Sequence, residues 1–158
     1  MAIKYSTMTP LFKKLNFKGQ TPVGVWQAPD SFREEMEAMK DETHFITTFT
    51  ESAKLPFAIA FTTRQEELNL LSKIMNEHTE GDAIIWIAYP KGSSKRYPCD
   101  FNRDTGWEAW GAAGFEPVRQ VAIDEDWSAL RFRRVAYIQK MTRSFAISDE
   151  GKRKTGKI

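Results

Sequence analysis

The most informative pattern in this sequence runs from Ala83 to Arg133 and begins AIIWIAYPKGSSK (83–95). After a short segment around Trp107 it continues as FEPVRQVAID (115–124) and ends as WSALRFR (127–133). In order, these pieces predict a buried strand, a basic loop, a helix and two more strands. That order is typical of the second half of a doubly wound α/β domain, in which ligands bind beyond the carboxyl ends of the strands.

Three more strands are predicted nearer the amino terminus. The candidates are residues 22–28, 44–50 and 56–62, with 83–89 as the fourth strand along the chain. The third and fourth are apolar along most of their length, as expected of strands covered on both faces. We expect the first, third and fourth to lie parallel at the centre of the sheet. The side chains expected to be largely buried are Ile59, Phe61, Leu71, Ile85, Trp86 and Ile87.

Helices are predicted where capping residues precede apolar residues at helical spacing. Thr9 and Pro10 begin a short helix over residues 9–17, with threonine as the cap and proline in the first turn. Three further helix starts are predicted from pairs of residues with the spacing of a capping box. In this motif each side chain accepts a hydrogen bond from the backbone N–H of the other residue. The pairs are Ser31 with Glu34, Thr63 with Glu66, and Thr105 with Glu108.

The last two strands, residues 115–123 and 128–137, are separated by the acidic turn 124–126. So short a connection joins antiparallel neighbours, whereas strands alternating with helices favour a parallel, twisted sheet with right-handed crossovers. The predicted fold class is therefore α/β: a Rossmann-like, three-layer αβα domain whose mostly parallel twisted sheet ends in a C-terminal antiparallel hairpin. A single domain spans residues 1–148, and the basic tail over residues 149–158 is expected to be disordered.

The order of these elements resembles the class I methyltransferase fold over residues 20–137, including the terminal hairpin. The resemblance implies the fold and offers a diverged transferase as one function. Methyltransferases of this class have a glycine-rich turn after the first strand, where the backbone approaches S-adenosylmethionine. Here the turn reads Gln27-Ala28-Pro29-Asp30-Ser31 and contains no glycine. We therefore expect no cofactor.

A second resemblance is to a family of small bacterial domains of unknown function. It is carried by Tyr89-Pro90-Lys91-Gly92-Ser93-Ser94 and by the motif Trp127–Arg133, together with Ala28-Pro29 after the first strand. The match looks nearly full length. It implies the same fold and brings no activity with it, so function has to be inferred from the residues themselves.

Composition narrows the class of protein. The 158 residues are 41% hydrophobic and 28% charged, as in an ordinary globular domain. The apolar run at residues 83–88 is far shorter than the roughly 20 residues of a transmembrane helix, and the amino terminus has no apolar stretch of signal-peptide length. Cys99 is the only cysteine, so no internal disulfide can form. We expect a cytoplasmic protein that does not engage a membrane.

The best candidate for a site is the loop from Lys91 to Lys95. Its lysines carry positive charge, its glycine permits unusual backbone angles and its serines offer hydroxyl groups, a combination suited to an anion. In doubly wound order the loop would face the starts of two helices, whose positive ends favour anions. A solvated surface turn explains the same residues. The predicted anion site comprises Lys91, Gly92, Ser93, Ser94, Lys95, Ser31, Thr63 and Arg64.

A second candidate surface is basic. Arg131, Arg133 and Arg134 lie on the last strand near Trp127, which could stack on a base. The same pattern is typical of an edge strand whose charges prevent pairing with other sheets, and of a tryptophan packed beneath a hairpin. The net charge is only +2. No histidine or cysteine lies at metal-ligand spacing from another, and no serine lies in a nucleophile context, so we predict neither a metal site nor catalytic residues.

Three functions follow from these patterns. The leading hypothesis is a Rossmann-like domain that binds a small anionic ligand or a protein partner without catalysis of its own. The alternatives are a diverged methyltransferase-like enzyme and a nucleic-acid or ribosome-associated protein that uses the arginines and the basic termini. Steep salt dependence of binding would mark the last of these.

Overall fold

The computed structural model describes residues 8–48 and 54–138. Its elements are α1 (Pro10–Lys14), β1 (Val23–Trp26), α2 (Asp30–Ala38), β2 (Phe45–Ile46), β3 (Phe57–Phe61), α3 (Gln65–His78), β4 (Ile84–Pro90), α4 (Glu108–Ala112), β5 (Phe115–Ala122), β6 (Trp127–Arg134) and a 3-10 turn (Val135–Tyr137). The strands form one sheet in the order β2-β1-β3-β4-β6-β5. Strands β1, β2, β3 and β4 are parallel to one another, and β6 is antiparallel to β4 and to β5. The predicted fold class is confirmed.

Helices cover both faces of the sheet. On one face, Phe12 of α1 and Phe32 of α2 pack in a cluster with Trp86 of β4. On the other, Leu71 of α3 and Trp110 of α4 pack with neighbouring side chains of the same strand. Every residue of β3 and β4 is buried, because the alternating side chains of a strand meet a helix layer on either side. The predicted core positions are all buried, which confirms that prediction: Ile59, Phe61, Leu71, Ile85, Trp86 and Ile87.

Three elements end earlier than the sequence predicts. The helix predicted over 9–17 stops at Lys14, because Asn16 adopts a left-handed backbone angle of φ 63° and turns the chain away. The strand predicted over 44–50 contains only Phe45–Ile46, and residues 49 and 50 lie outside the described residues. The last strand ends at Arg134, which lies opposite the first residue of β5, and the chain continues as the 3-10 turn Val135–Tyr137.

The three predicted capping boxes are wrong, whereas the first cap is correct. The hydroxyl of Thr9 accepts a hydrogen bond from the backbone N–H of Phe12, 3.2 Å away, as predicted. The helices α2, α3 and α4 start after Pro29, Arg64 and Trp107, and none of those residues makes a side-chain cap. Ser31, Thr63 and Thr105 therefore lie off the cap positions. At two of these starts, contacts from distant parts of the chain take the place of a local cap: Ser31 donates to Asp124, and the N–H of Gln65 donates to Asp100.

The predicted boundary at residue 148 and the tail at 149–158 lie outside the described residues. Within those residues, no helix has the length and apolar character needed to cross a bilayer.

Candidate functional site

Four connecting segments gather at the carboxyl edge of the parallel strands. They are residues 27–29 after β1, 62–64 after β3, 91–97 after β4, and the turn 123–126 between β5 and β6. The turn reaches this edge because Trp127, the first residue of β6, pairs with Pro90, the last residue of β4. The backbone N–H of Lys91 then donates to the carbonyl of Asp126, 2.8 Å away. The acidic turn and the Lys91–Lys95 loop are thus neighbours.

The acidic turn also links the loop to α2. The hydroxyl of Ser31 donates to the carboxylate of Asp124 at 3.1 Å, and the hydroxyl of Ser94 donates to that of Asp126 at 2.9 Å. Asp124 in turn accepts from the backbone N–H groups of Asp126 and Trp127, at 2.8 and 2.9 Å. Two carboxylates of the protein therefore lie between the positive end of α2 and the loop. Ser31 and Ser94 are held by these carboxylates at the position where the sequence predicts a foreign anion.

A different segment, residues 97–105, meets the start of α3. The backbone N–H of Asp100 donates to the carbonyl of Thr63 at 3.2 Å, and the Asp100 carboxylate accepts from the backbone N–H of Gln65. This carboxylate satisfies an amide that the helix itself leaves unpaired. The side chain of Arg64 is exposed and forms no ion pair within residues 8–48 and 54–138. Thr63 therefore borders the 97–105 segment rather than the Lys91 loop.

A cleft of about 710 Å³ lies between the Lys91 loop and the 97–105 segment. Of the predicted anion site, Lys91, Gly92 and Ser94 line this cleft. The other five predicted residues are not among its walls: Ser93, Lys95, Ser31, Thr63 and Arg64. We call this space the carboxyl-edge cleft.

Three strands contribute one polar wall of the carboxyl-edge cleft through Tyr89, Gln120 and Ser128, which are not among the residues predicted for the anion site. Tyr89 of β4 pairs with Ser128 of β6, and Gln120 of β5 lies two residues from Ser128's other partner, so the three side chains share a face. The Gln120 amide donates to the Tyr89 hydroxyl at 3.1 Å and accepts from Arg103 at 3.3 Å. Ser128 is only 8% exposed, and its hydroxyl makes no hydrogen bond within the described residues.

Burial sets the protonation of two groups in the cleft. It raises the pKa of the Tyr89 phenol, whose ring lies 5.9 Å from that of Phe101 and 5.7 Å from that of Trp107. Burial also raises the pKa of the Cys99 thiol. Tyr89 therefore keeps its proton at neutral pH and can donate it, since its oxygen already accepts from Gln120.

The three arginines of the basic surface have different environments. Alternation along β6 places Arg131 and Arg133 on one face and Arg134 on the other. Arg133 forms a bidentate pair with Asp82, with distances of 2.9 and 2.7 Å. Arg134 donates to carbonyl oxygens beyond the end of α3, among them that of Thr79 at 2.9 Å. Arg131 alone has no partner within the described residues. Nucleic-acid binding stays a prediction, with two of its three arginines engaged inside the protein.

Trp127 is 4% exposed, and its ring lies 5.2 Å from that of Phe61 and 4.9 Å from that of Tyr97. The interpretation of this residue as packing beneath the hairpin is confirmed. Among the described residues, no three histidine, cysteine, aspartate or glutamate side chains lie together as ligands for a metal ion.

The turn after β1 combines a glycine-like backbone angle with a side chain that contacts a helix. Gln27 adopts φ 54°, in the left-handed region that favours glycine. Its amide donates to the carboxylate of Glu67 in the first turns of α3, 3.0 Å away. This contact spans the point between β1 and β3, where the strand order reverses and Rossmann-like folds commonly hold ligands.

No protein-family model matches this chain, and no curated protein sequence does. Solved structures are similar to it. A SAM-dependent methyltransferase from Aquifex aeolicus matches at 10% identity over 81% of this chain and 91% of its own, with a TM-score of 0.53. A putative type 11 methyltransferase from Sulfolobus solfataricus matches at 10% identity over 82% and 94%, with a TM-score of 0.52.

A fibrillarin pre-rRNA processing protein from Methanococcus jannaschii matches at 17% identity over 71% of this chain, with a TM-score of 0.45. This chain spans 55% of that protein's length. Identities this low show the fold alone. The fold is Rossmann-like and of the methyltransferase kind, and membership of the small bacterial family stays a prediction.

Proposed function

We propose that the protein is a ligand-binding domain that takes a small anionic molecule into the carboxyl-edge cleft, without catalysis of its own. The observation that carries this proposal is a set of unused donors in one cleft. The Lys91 amine, the Ser128 hydroxyl and the Tyr89 O–H all line it, and none donates to an acceptor within the described residues. A bound oxyanion would accept from all three.

The carboxylates around the carboxyl-edge cleft already have partners within the protein. Lys91 is therefore the charged group of the cleft that is available to a ligand. Asp100 accepts from the start of α3, and Asp126 accepts from Ser94. Asp104 lies 3.4 Å from the guanidinium of Arg103. Lys91 has no such partner within the described residues. Ser128 supplies a neutral hydroxyl beside this charge, so an incoming oxygen gains a hydrogen bond there in addition to the attraction of the lysine.

The test compares two lysines of the same loop. Calorimetric titration with inorganic phosphate and with nucleoside monophosphates would measure binding to the wild type, Lys91→Ala and Lys95→Ala. We expect Lys91→Ala to weaken binding about tenfold or more, since charge-assisted hydrogen bonds contribute about 1.5–3 kcal/mol. Lys95→Ala removes the same charge outside the cleft and should leave affinity unchanged. Equal losses in both variants, or no binding of any anion by the wild type, would refute the proposal.

A diverged methyltransferase is the second candidate. It is favoured by the structural likeness to two proteins described as methyltransferases, which this chain spans over 91% and 94% of their length. The left-handed backbone of Gln27 at the turn after β1 also favours it. Titration with S-adenosylmethionine tests it directly. Micromolar binding that competes with no cleft anion would support a cofactor site near Gln27, whereas no binding at millimolar concentration would leave the ligand-binding proposal alone.

A further inference from the structure

A second cleft, of about 480 Å³, opens at the opposite edge of the sheet. Its walls come from the chain after α1 at Asn16 and Gln20, from the amino ends of β3 and β4 at Pro56 and Ile84, and from Arg131 of β6. Because the amino ends of parallel strands lie at the edge away from their carboxyl ends, this cleft is separate from the one beside Lys91. We call it the amino-edge cleft.

Arg131 is the unusual group in the amino-edge cleft. A guanidinium carries five N–H donors, and that of Arg131 has no hydrogen bond or ion pair within the described residues. Its Nε is buried from solvent without an acceptor. Burial is the main cause that lowers the pKa of Arg131, and the charge of Arg133 adds to it. Arginine nevertheless stays protonated in proteins. The guanidinium of Arg131 is therefore a charged, half-buried group with several N–H donors beside the cleft.

The neighbouring arginines show how the same side chain is normally satisfied in this fold. Arg133 donates two hydrogen bonds to the carboxylate of Asp82, at 2.9 and 2.7 Å. Arg134 donates hydrogen bonds to main-chain oxygens, including that of Gly81 at 3.1 Å. Of these three arginines, Arg131 is the one whose guanidinium has no oxygen acceptor within the described residues, although a planar pair of oxygens would match it.

We propose that the amino-edge cleft is a second binding site, in which Arg131 holds the carboxylate or phosphate of a small organic molecule. Two parallel hydrogen bonds from the guanidinium to two oxygens of the ligand would satisfy it. The space of about 480 Å³ has room for a small organic body beside that charged group. Apolar side chains for that body come from Leu55 and Ile84, and amide groups come from Asn16 and Gln20.

The charges around this cleft favour an anion. Its charged lining residues are Lys54, Glu80, Asp82 and Arg131. Asp82 is already paired with Arg133, and the Lys54 amine donates to the Glu77 carbonyl at 2.8 Å, which leaves its charge uncompensated. Three cations, counting Arg133, therefore stand against two carboxylates.

The experiment titrates the full chain with phenyl phosphate and with benzoate, and uses phenol as the neutral counterpart. We expect at least one oxyanion to bind and phenol not to bind, and the stronger of the two identifies the preferred head group. Arg131→Gln should weaken binding about tenfold or more. Arg119→Gln is the matched control, because Arg119 is exposed and lies directly opposite Arg131 on β5. It removes the same charge and should keep the affinity.

A stability measurement separates loss of a ligand group from loss of the fold. Without ligand, Arg131→Met should leave the melting temperature unchanged or raise it, because it removes a buried donor that has no acceptor. Arg133→Met should lower it, because it breaks the pair with Asp82. The inference is overturned if neither oxyanion binds, if Arg119→Gln weakens binding as much as Arg131→Gln, or if Arg131→Met destabilises the protein as Arg133→Met does. Lys91→Ala should leave this binding intact, so the two clefts are tested independently.

Discussion

The carboxylate of Asp100 caps α3 through the backbone N–H of Gln65, a residue 35 positions earlier in the chain. The cap arrives from the segment that forms one wall of the carboxyl-edge cleft. The side chain of Gln65 strengthens the same junction, since its amide donates to the carbonyl of Gly106 at 2.6 Å. The start of the longest helix and the wall of the cleft are therefore one structural unit.

Removing this cap should destabilise the protein. We expect Asp100→Ala to lower the free energy of unfolding by about 1 kcal/mol, the usual cost of losing a helix cap, and Asp100→Asn to keep most of it because asparagine caps equally well. Urea denaturation measures both. Asp104→Ala is the control, since its surface pair with Arg103 contributes only about 0–1 kcal/mol. Equal stability of Asp100→Ala and the wild type would contradict the capping role.

Arg134 should matter for stability more than an exposed arginine does. It donates to the carbonyl of Thr79 at 2.9 Å and lies 5.1 Å from the centre of the Phe115 ring. Arg134→Ala leaves those main-chain oxygens without a donor, and we expect a loss of about 2 kcal/mol. Arg96→Ala removes an exposed charge and should change stability by less than about 0.5 kcal/mol. Thermal denaturation that ranks the two variants in the reverse order would show that Arg134 is not a structural group.

The hydrogen bond between Trp86 of β4 and the end of α1 should contribute to stability. Trp86 is 0% exposed, and its indole N–H donates to the carbonyl of Leu15 at 2.9 Å. Trp86→Phe removes that hydrogen bond and leaves a small cavity, so we expect a loss of about 2–3 kcal/mol. Chemical denaturation measures it, with Leu70→Ala as the control because Leu70 is 52% exposed. A loss below about 0.5 kcal/mol would mean that the buried hydrogen bond contributes nothing net.

Alkylation of Cys99 should depend on folding and on pH. Burial raises the pKa of its thiol, and the thiolate is the reactive form. At pH 8 the folded protein therefore has a smaller thiolate fraction than the unfolded chain, and the difference shrinks as pH rises past the folded-state pKa. Iodoacetamide labelling followed by mass spectrometry would measure both rates. Faster labelling of the folded protein at pH 8 would indicate a thiol activated by its surroundings.

The candidate site was only partly predictable. The Lys91 loop was found because glycine and serine between lysines at the end of an apolar strand is a local pattern. The loop was also predicted to converge with Ser31, and this stays a prediction: the partner of Ser31 in the structure is Asp124, which lies 93 residues further along the chain. No local pattern indicates which acidic turn will reach a given helix. Tyr89 and Ser128 were missed because their shared wall depends on the register between β4 and β6.

The layers of this protein follow from local patterns of apolar residues. Runs such as PFAIAFT (56–62) and AIIWIAY (83–89) are apolar at successive positions, so helices must cover both sides of the strands they form. The three-residue acidic turn 124–126 permits only an antiparallel hairpin. The partners of the charged side chains depend instead on contacts between distant parts of the chain. Arg131 and Arg133 look alike in sequence, yet Asp82 reaches one of them and not the other, because strand register and loop position set those distances.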